Sequence, residues 1–197
     1  MMKFILIALS AILVNNIVLT RFLGICPFLG VSKKTKNALG MSGALIFVLL
    51  LSSLVSYAFY FLVLVPLGLE FLKLVAFILI IASLVQFVEI ALKRFMPSLY
   101  KALGIYLPLI TTNCVVLTVA LDVVAVTGGV ADYSFLEMII YSLSNGIGFA
   151  LVFIVFSFTQ EKLANNKAIP TPFKGNAVAL LAAGLMALAF VGFQGMI

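Results

Sequence analysis

Long uncharged apolar runs, separated by short charged segments, recur along the whole chain. Residues 4–20, 37–69, 74–88, 102–121, 138–160 and 175–197 contain no Asp, Glu, Lys or Arg. A helix that crosses the hydrocarbon layer needs about 20 residues, each rising about 1.5 Å. The pattern predicts six transmembrane helices, at residues 3–24, 38–65, 70–93, 100–121, 134–159 and 175–195. The first reads as a span rather than a cleaved secretory signal. It lacks a small-residue cleavage site and runs on into Arg21 and Cys26. The expected fold is an all-α integral membrane protein with a single membrane domain, residues 1–197.

Charge orients the spans. The segments after the first, third and fifth helices hold Lys33, Lys34 and Lys36; Lys93, Arg94 and Lys101; and Lys162, Lys167 and Lys174. These are nine of the twelve cations. The segments after the second and fourth helices hold Glu70, Asp122, Asp132 and Glu137, with Lys73 nearby. The positive-inside rule places loops 1, 3 and 5 in the cytoplasm and both termini outside. Tyr57, Tyr60, Tyr100, Tyr106 and Tyr133 are the expected interfacial anchors, since the chain has no Trp.

The pattern also repeats. Asn15-Asn16-Ile17-Val18-Leu19-Thr20 matches Asn113-Cys114-Val115-Val116-Leu117-Thr118 at an offset of 98, half the chain. The same offset lays helix 2 on helix 5 and helix 3 on helix 6. Halves of about 1–98 and 99–197 hold three spans each, so they insert in opposite directions. That is an inverted-topology repeat, an arrangement associated with midplane sites at interrupted helices. Helices 1 and 4 are the interrupted ones. Helix 1 carries Asn15, Asn16, Arg21 and Gly24-Ile25-Cys26-Pro27, and helix 4 carries Pro108, Thr111, Thr112, Asn113 and Cys114. Proline removes a backbone donor and crowds the preceding turn, so a kink or break is expected at each. Broken backbone persists at membrane depth only where protein buries it or a cavity borders it. One reading has these Asn and Thr residues joining helices; the other makes the two breaks the functional centre.

Arg21 and Glu89 are costly inside a bilayer unless paired or near an end. Glu89 stands one turn from Lys93, a spacing that suits an ion pair, and Arg21 is expected to reach towards the cytoplasm. Ser142, Gly146 and Ala150, four residues apart, form a small-residue stripe suited to close helix packing.

Composition narrows the chemistry. The chain is 65% apolar and 9% charged, with a mean hydropathy of +1.34. A soluble domain is about half apolar and about a quarter charged. The net charge of +6 sits in loops, with no soluble surface for a nucleic-acid patch. There is no histidine. Ser-His-Asp triads, histidine bases, histidine-ligated haem and most zinc enzymes are therefore excluded. No Gly-rich nucleotide fingerprint follows a strand. The two cysteines, Cys26 and Cys114, each lie at a predicted break. Free cysteines in apolar helices are usually inert. Two thiolates cannot complete an iron–sulfur cluster, which takes four ligands. A cluster here would need two more cysteines from another subunit.

Three stretches carry a resemblance to a known family. LVNNIVLTRFLGICPFLGVSKK (13–34), LGIYLPLITTNCVVL (103–117) and PTPFKGNAVALLAAGLMALAFVGFQG (170–195) resemble the first, fourth and last helices of the A subunits of Rnf complexes. The resemblance spans nearly the full chain. The E subunits of the sodium-translocating NADH:quinone oxidoreductase are similar, but Asn15-Asn16 and Cys26-Pro27-Phe28 look closer to Rnf. Rnf complexes couple electron flow between ferredoxin and NAD to sodium or proton movement across a prokaryotic membrane. The resemblance implies that Cys26 and Cys114 are two ligands of an intramembrane [2Fe-2S] cluster. It also implies a homologous E subunit of opposite topology that supplies the other two, and further subunits with iron–sulfur clusters and flavins. Asn15, Asn16, Thr111, Thr112 and Asn113 are then expected around the cluster or along an ion path. A small inverted-repeat transporter or channel is the competing class, with the asparagines binding solute and the cysteines incidental. A structural scaffold for redox subunits is a third.

Overall fold

The computed structural model describes residues 2–30, 35–95, 109–110, 113–124, 126–127, 130–131, 134–164 and 176–192. The chain begins with α1 (Met2–Leu9), a π-helical turn (Ser10–Val14), α2 (Ile17–Thr20) and α3 (Ile25–Gly30). Then come α4 (Thr35–Phe59), a second π turn (Tyr60–Leu64), α5 (Val65–Leu67) and a 3-10 turn (Glu70–Leu72). The remaining helices are α6 (Lys73–Phe95), α7 (Cys114–Val123), α8 (Phe135–Ala164) and α9 (Asn176–Val191). Among the described residues three helical stretches are long and apolar enough to cross a membrane: Ala38–Leu67, Lys73–Ile90 and Phe135–Leu163. Cys114–Val123 and Ala177–Val191 are shorter apolar helices.

Burial explains why these sequences are helical. On α4, Ala38, Met41, Leu45, Val48 and Leu49 recur every three to four residues and are all buried. They meet α8, whose Phe149, Val152, Phe153 and Phe156 follow the same rule. Gly146 sits at this seam. A Cβ there would stand 3.0 Å from Ile46 Cγ1, so the small-residue stripe does allow close packing, as expected. On α6, Phe77, Ile81, Val85 and Val88 face inward, while Leu79, Phe87 and Ile90 are exposed. With Phe71 92% and Leu62 80% exposed, the outer surface is one that lipid, not water, accommodates. Ser42 and Ser53 lie in the buried helix α4 because their hydroxyls donate to the carbonyls of Ala38 and Leu49, four residues earlier. Helix α7 has no exposed residue. It packs on α4, α6 and α8 and buries Val115, Val116, Val119, Ala120 and Val123.

The structure departs from the expected spans at four points. A two-stranded ribbon pairs Val126–Thr127 with Val130–Ala131, antiparallel, so the fold is not wholly α. The second helix runs past Pro66 to Leu67 and ends at Gly68, whose φ of 65° supplies the left-handed cap. The π turn at Tyr60–Leu64 widens the backbone just before the proline. Pro27 does not break a helix either. It is the third residue of α3, where the amide it lacks would have had no intrahelical partner. Pro108, and with it the start of the predicted fourth helix, lies outside the described residues.

Candidate site at two helix breaks

The first break follows the π turn. Asn15 N–H donates to Ser10 O at 2.7 Å, and its side-chain amide donates to Ser10 Oγ at 3.2 Å. Asn16 then turns extended (φ −63°, ψ 113°) and caps α2, its Oδ1 accepting from Val18 N–H at 3.1 Å. Its Nδ2 donates to Ile12 O at 3.0 Å and to Gly148 O on α8 at 3.1 Å. A Cβ on Gly148 would meet that Nδ2 at 3.0 Å, so glycine is what lets the two segments touch. Asn16 therefore satisfies a freed backbone donor and staples the broken helix to its neighbour.

The second break uses the same device. Asn113 (φ −72°, ψ 117°) caps α7, and its Oδ1 accepts from Val115 N–H at 3.1 Å. The repeat thus places Asn16, not Asn15, in the role of Asn113. The sequence alignment of the halves is displaced by one residue at the caps. The two caps differ in one respect. Asn113 is 3% exposed and its Nδ2 has no hydrogen-bond partner among the described residues.

The breaks meet at the cysteines. Residues 21–24 turn sharply, with φ 54° at Phe22 and 82° at Gly24. Gly24 N–H donates to Cys114 Sγ at 2.9 Å. A Cβ on Gly24 would collide with Val115 Cγ2 at 2.7 Å and come within 3.4 Å of Asn113 Oδ1. Two residues later, Cys26 is the second residue of α3 and is exposed, while Cys114 opens α7 and is half-buried. Phe28 fixes α3. It is 2% exposed, and its ring lies 5.8, 5.0 and 4.9 Å from those of Phe149, Phe153 and Phe156. Turn, cap and aromatic anchor together bring the two thiol-bearing segments into one place.

A cavity of about 450 Å³ lies beside the first break, bordered by Ser10, Asn15, Arg21, Asp122 and Tyr141. Arg21 Nη1 contacts both carboxylate oxygens of Asp122, at 3.2 and 3.1 Å, and Tyr141 OH donates to Asp122 Oδ2 at 3.2 Å. Arg21 thus reaches to Asp122, at the far end of α7 from Cys114. Of the residues expected at the site, Asn16, Asn113, Cys26 and Cys114 belong to the two breaks, and Asn15 belongs to the cavity. Thr111 and Thr112 lie outside the described residues. Gly24, Gly148, Asp122 and Tyr141 were not singled out as site residues from the sequence. A glycine two residues before Cys26 was the one available signal.

Chemically, the site offers two thiols, one already accepting a backbone N–H, beside a buried carboxamide. The described residues contain no group of three or more His, Cys, Asp or Glu able to hold a metal.

Comparison with known proteins bears on the whole chain. Residues 4–197 match the family described as "Rnf-Nqr subunit, membrane protein". The chain is 51% identical over 197 residues to the A subunit of the ion-translocating oxidoreductase complex of Hahella chejuensis, covering 100% of this chain and 99% of that one. It is equally similar, at 51%, to the protein of the same name from Colwellia psychrerythraea, again over 100% and 99%. It is also 51% identical over 195 residues to the A subunit of the Na(+)-translocating ferredoxin:NAD(+) oxidoreductase complex of Acetobacterium woodii, covering 99% and 98%.

Proposed function

Because this chain belongs to the Rnf-Nqr family of membrane subunits, we infer that it serves as the A subunit of an ion-translocating oxidoreductase complex in a prokaryotic membrane. It is part of an enzyme and carries no complete active site of its own. In our reading Cys26 and Cys114 supply two of the four thiolate ligands of a [2Fe-2S] cluster. A homologous E subunit of opposite topology supplies the others, and further subunits carry iron–sulfur clusters and flavins. Six helices in two inverted repeats, with both termini outside and loops 1, 3 and 5 in the cytoplasm, complete the proposed topology.

The observation that carries this reading is the hydrogen bond from Gly24 N–H to Cys114 Sγ. It docks the turn leading to Cys26 on the start of the helix that bears Cys114. Donors of this kind at ligand sulfurs are a recognised control on cluster potential. The donor set fits half a cluster. The turn that leads to Cys26 docks on the Cys114 sulfur, and Cys26 itself is exposed, where a second subunit has access.

When bound, the cluster would accept and pass on single electrons. The chain's own residues do the rest. The Gly24 amide donates to the Cys114 sulfur, which stands at the N-terminal end of α7. The aromatic anchor at Phe28 holds the Cys26 segment against α8. Valine and phenylalanine side chains exclude water from this region, where charge is expensive. Movement of Na+ or H+ would offset that charge. Asn15 in the cavity, and Thr111, Thr112 and Asn113 at the second break, are the proposed path.

The test is electron paramagnetic resonance on the dithionite-reduced membrane complex, after removal of peripheral iron–sulfur subunits. A [2Fe-2S] signal present in wild type and lost in Cys26→Ser and Cys114→Ser supports the assignment. No signal in an intact pair of membrane subunits would overturn it and favour solute transport.

A further inference from the structure

The two capping asparagines perform the same backbone task and differ in what is left over. Each Oδ1 accepts from the N–H two residues on, at 3.1 Å in both cases. Asn16 spends its amide on two carbonyls, Ile12 O and Gly148 O. Asn113 is as deeply buried, at 3% exposure, and its Nδ2 donates to nothing among the described residues. A buried donor without an acceptor carries a desolvation penalty that native proteins rarely leave unanswered. Capping does not explain it, because aspartate, serine or threonine caps as well without an amide to bury. The carboxamide lies next to Cys114 in sequence, and its Oδ1 faces the Gly24 turn that donates to the Cys114 sulfur.

Resting on the ligand assignment above, we propose that Asn113 is a positioning residue whose Nδ2–H donates to a sulfur of the group bound at Cys114, and so raises its reduction potential. The physical reason is charge. Reduction adds negative charge at the sulfurs, and a preorganised donor in a low-dielectric site favours that state more than the oxidised one. Gly24 N–H would serve the Cys114 sulfur and Asn113 Nδ2 a sulfur of the bound group, two donors from within one chain. Asn16, its amide engaged with carbonyls, has no such effect.

The test is a redox titration followed by electron paramagnetic resonance on the assembled complex. Wild type is compared with Asn113→Ser and Asn113→Thr, which keep the capping oxygen and remove the amide, and with Asn16→Ser. The expected result is a fall of about tenfold in the reduction equilibrium for either Asn113 variant, about 59 mV for a one-electron couple, and no shift for Asn16→Ser. An unmoved midpoint in an assembled Asn113 variant would overturn the proposal, as would an equal shift in Asn16→Ser. A second readout needs no variant. Wild-type complex labelled with 15N only at asparagine side chains should show a weak 15N coupling to the reduced cluster in pulsed resonance, and its absence would also overturn the proposal. Failure of the ligand assignment is distinguishable, since the signal itself would then survive Cys26→Ser and Cys114→Ser.

Discussion

Replacing Gly24 by alanine tests whether the junction between the two broken helices depends on a single backbone conformation. The φ of 82° at Gly24 lies where a Cβ is disfavoured, at a cost of about 1–2 kcal/mol. The added methyl would also stand 2.7 Å from Val115 Cγ2 and 3.1 Å from Phe149 Cε2. Both neighbours are 1% exposed, so neither has room to withdraw. Forcing a carbon into such a space costs about 1–3 kcal/mol. Strain and overpacking together come to about 2–5 kcal/mol, a large share of the roughly 5–15 kcal/mol that holds a typical domain folded. On the scaling for chains of this size, the melting temperature should fall by about 4–20 °C. The assay is thermal unfolding in lipid nanodiscs, with Gly43→Ala as control. Gly43 has nothing within 4 Å of its would-be Cβ, and alanine is the better helix former there by about 1 kcal/mol. The control should melt at or above wild type. If Gly24→Ala melts with Gly43→Ala, the turn is not constrained as described and the reasoning fails.

Other perturbations separate the remaining supports. Phe28→Ala removes the ring that meets Phe149, Phe153 and Phe156. It should destabilise by about 3–5 kcal/mol and Phe28→Leu by clearly less, as read from unfolding midpoints; equal losses would mean the ring contacts are not the anchor. Asn16→Ala removes a cap worth about 1 kcal/mol and strands the Gly148 and Ile12 carbonyls at about 1–3 kcal/mol. A loss no larger than that of an ordinary cap would refute the stapling role. The Arg21–Asp122 pair is 54% and 25% exposed. A double-mutant cycle of Arg21→Gln with Asp122→Asn should therefore give a coupling under about 1 kcal/mol that fades with salt. A coupling several times larger would show that water does not reach the cavity.

The spans and the breaks were legible because both are local. Charge-free length betrays a membrane helix, and the described helices α4, α6 and α8 lie where those runs predict. Asn15, Asn16 and Asn113 stand at the interruptions, although the expectation of a break rested on Pro27 and Pro108. Which asparagine caps was not legible. Asn15 and Asn113 align in the repeat, yet the chain turns extended at Asn16. That choice depends on the π turn before it and on the Gly148 carbonyl beside it. Pro27 misled for a related reason. Proline breaks a helix interior but is harmless in a first turn, and only the preceding turn at Phe22 and Gly24 reveals that a new helix starts there.

The sequence alone determined the membrane class, the number and places of the apolar segments, and the chemistry that the absence of histidine excludes. These follow from hydrocarbon thickness and desolvation, which act on every stretch of chain by its own composition. Tertiary structure alone decided the pairings. Gly24 meets Cys114 across 90 residues, Arg21 meets Asp122 across 101, and Asn16 meets Gly148 across 132. A hydrogen bond or an ion pair selects its partner by distance in space. That distance is set by the packing of α8 on α4, on α7 and on the first broken helix.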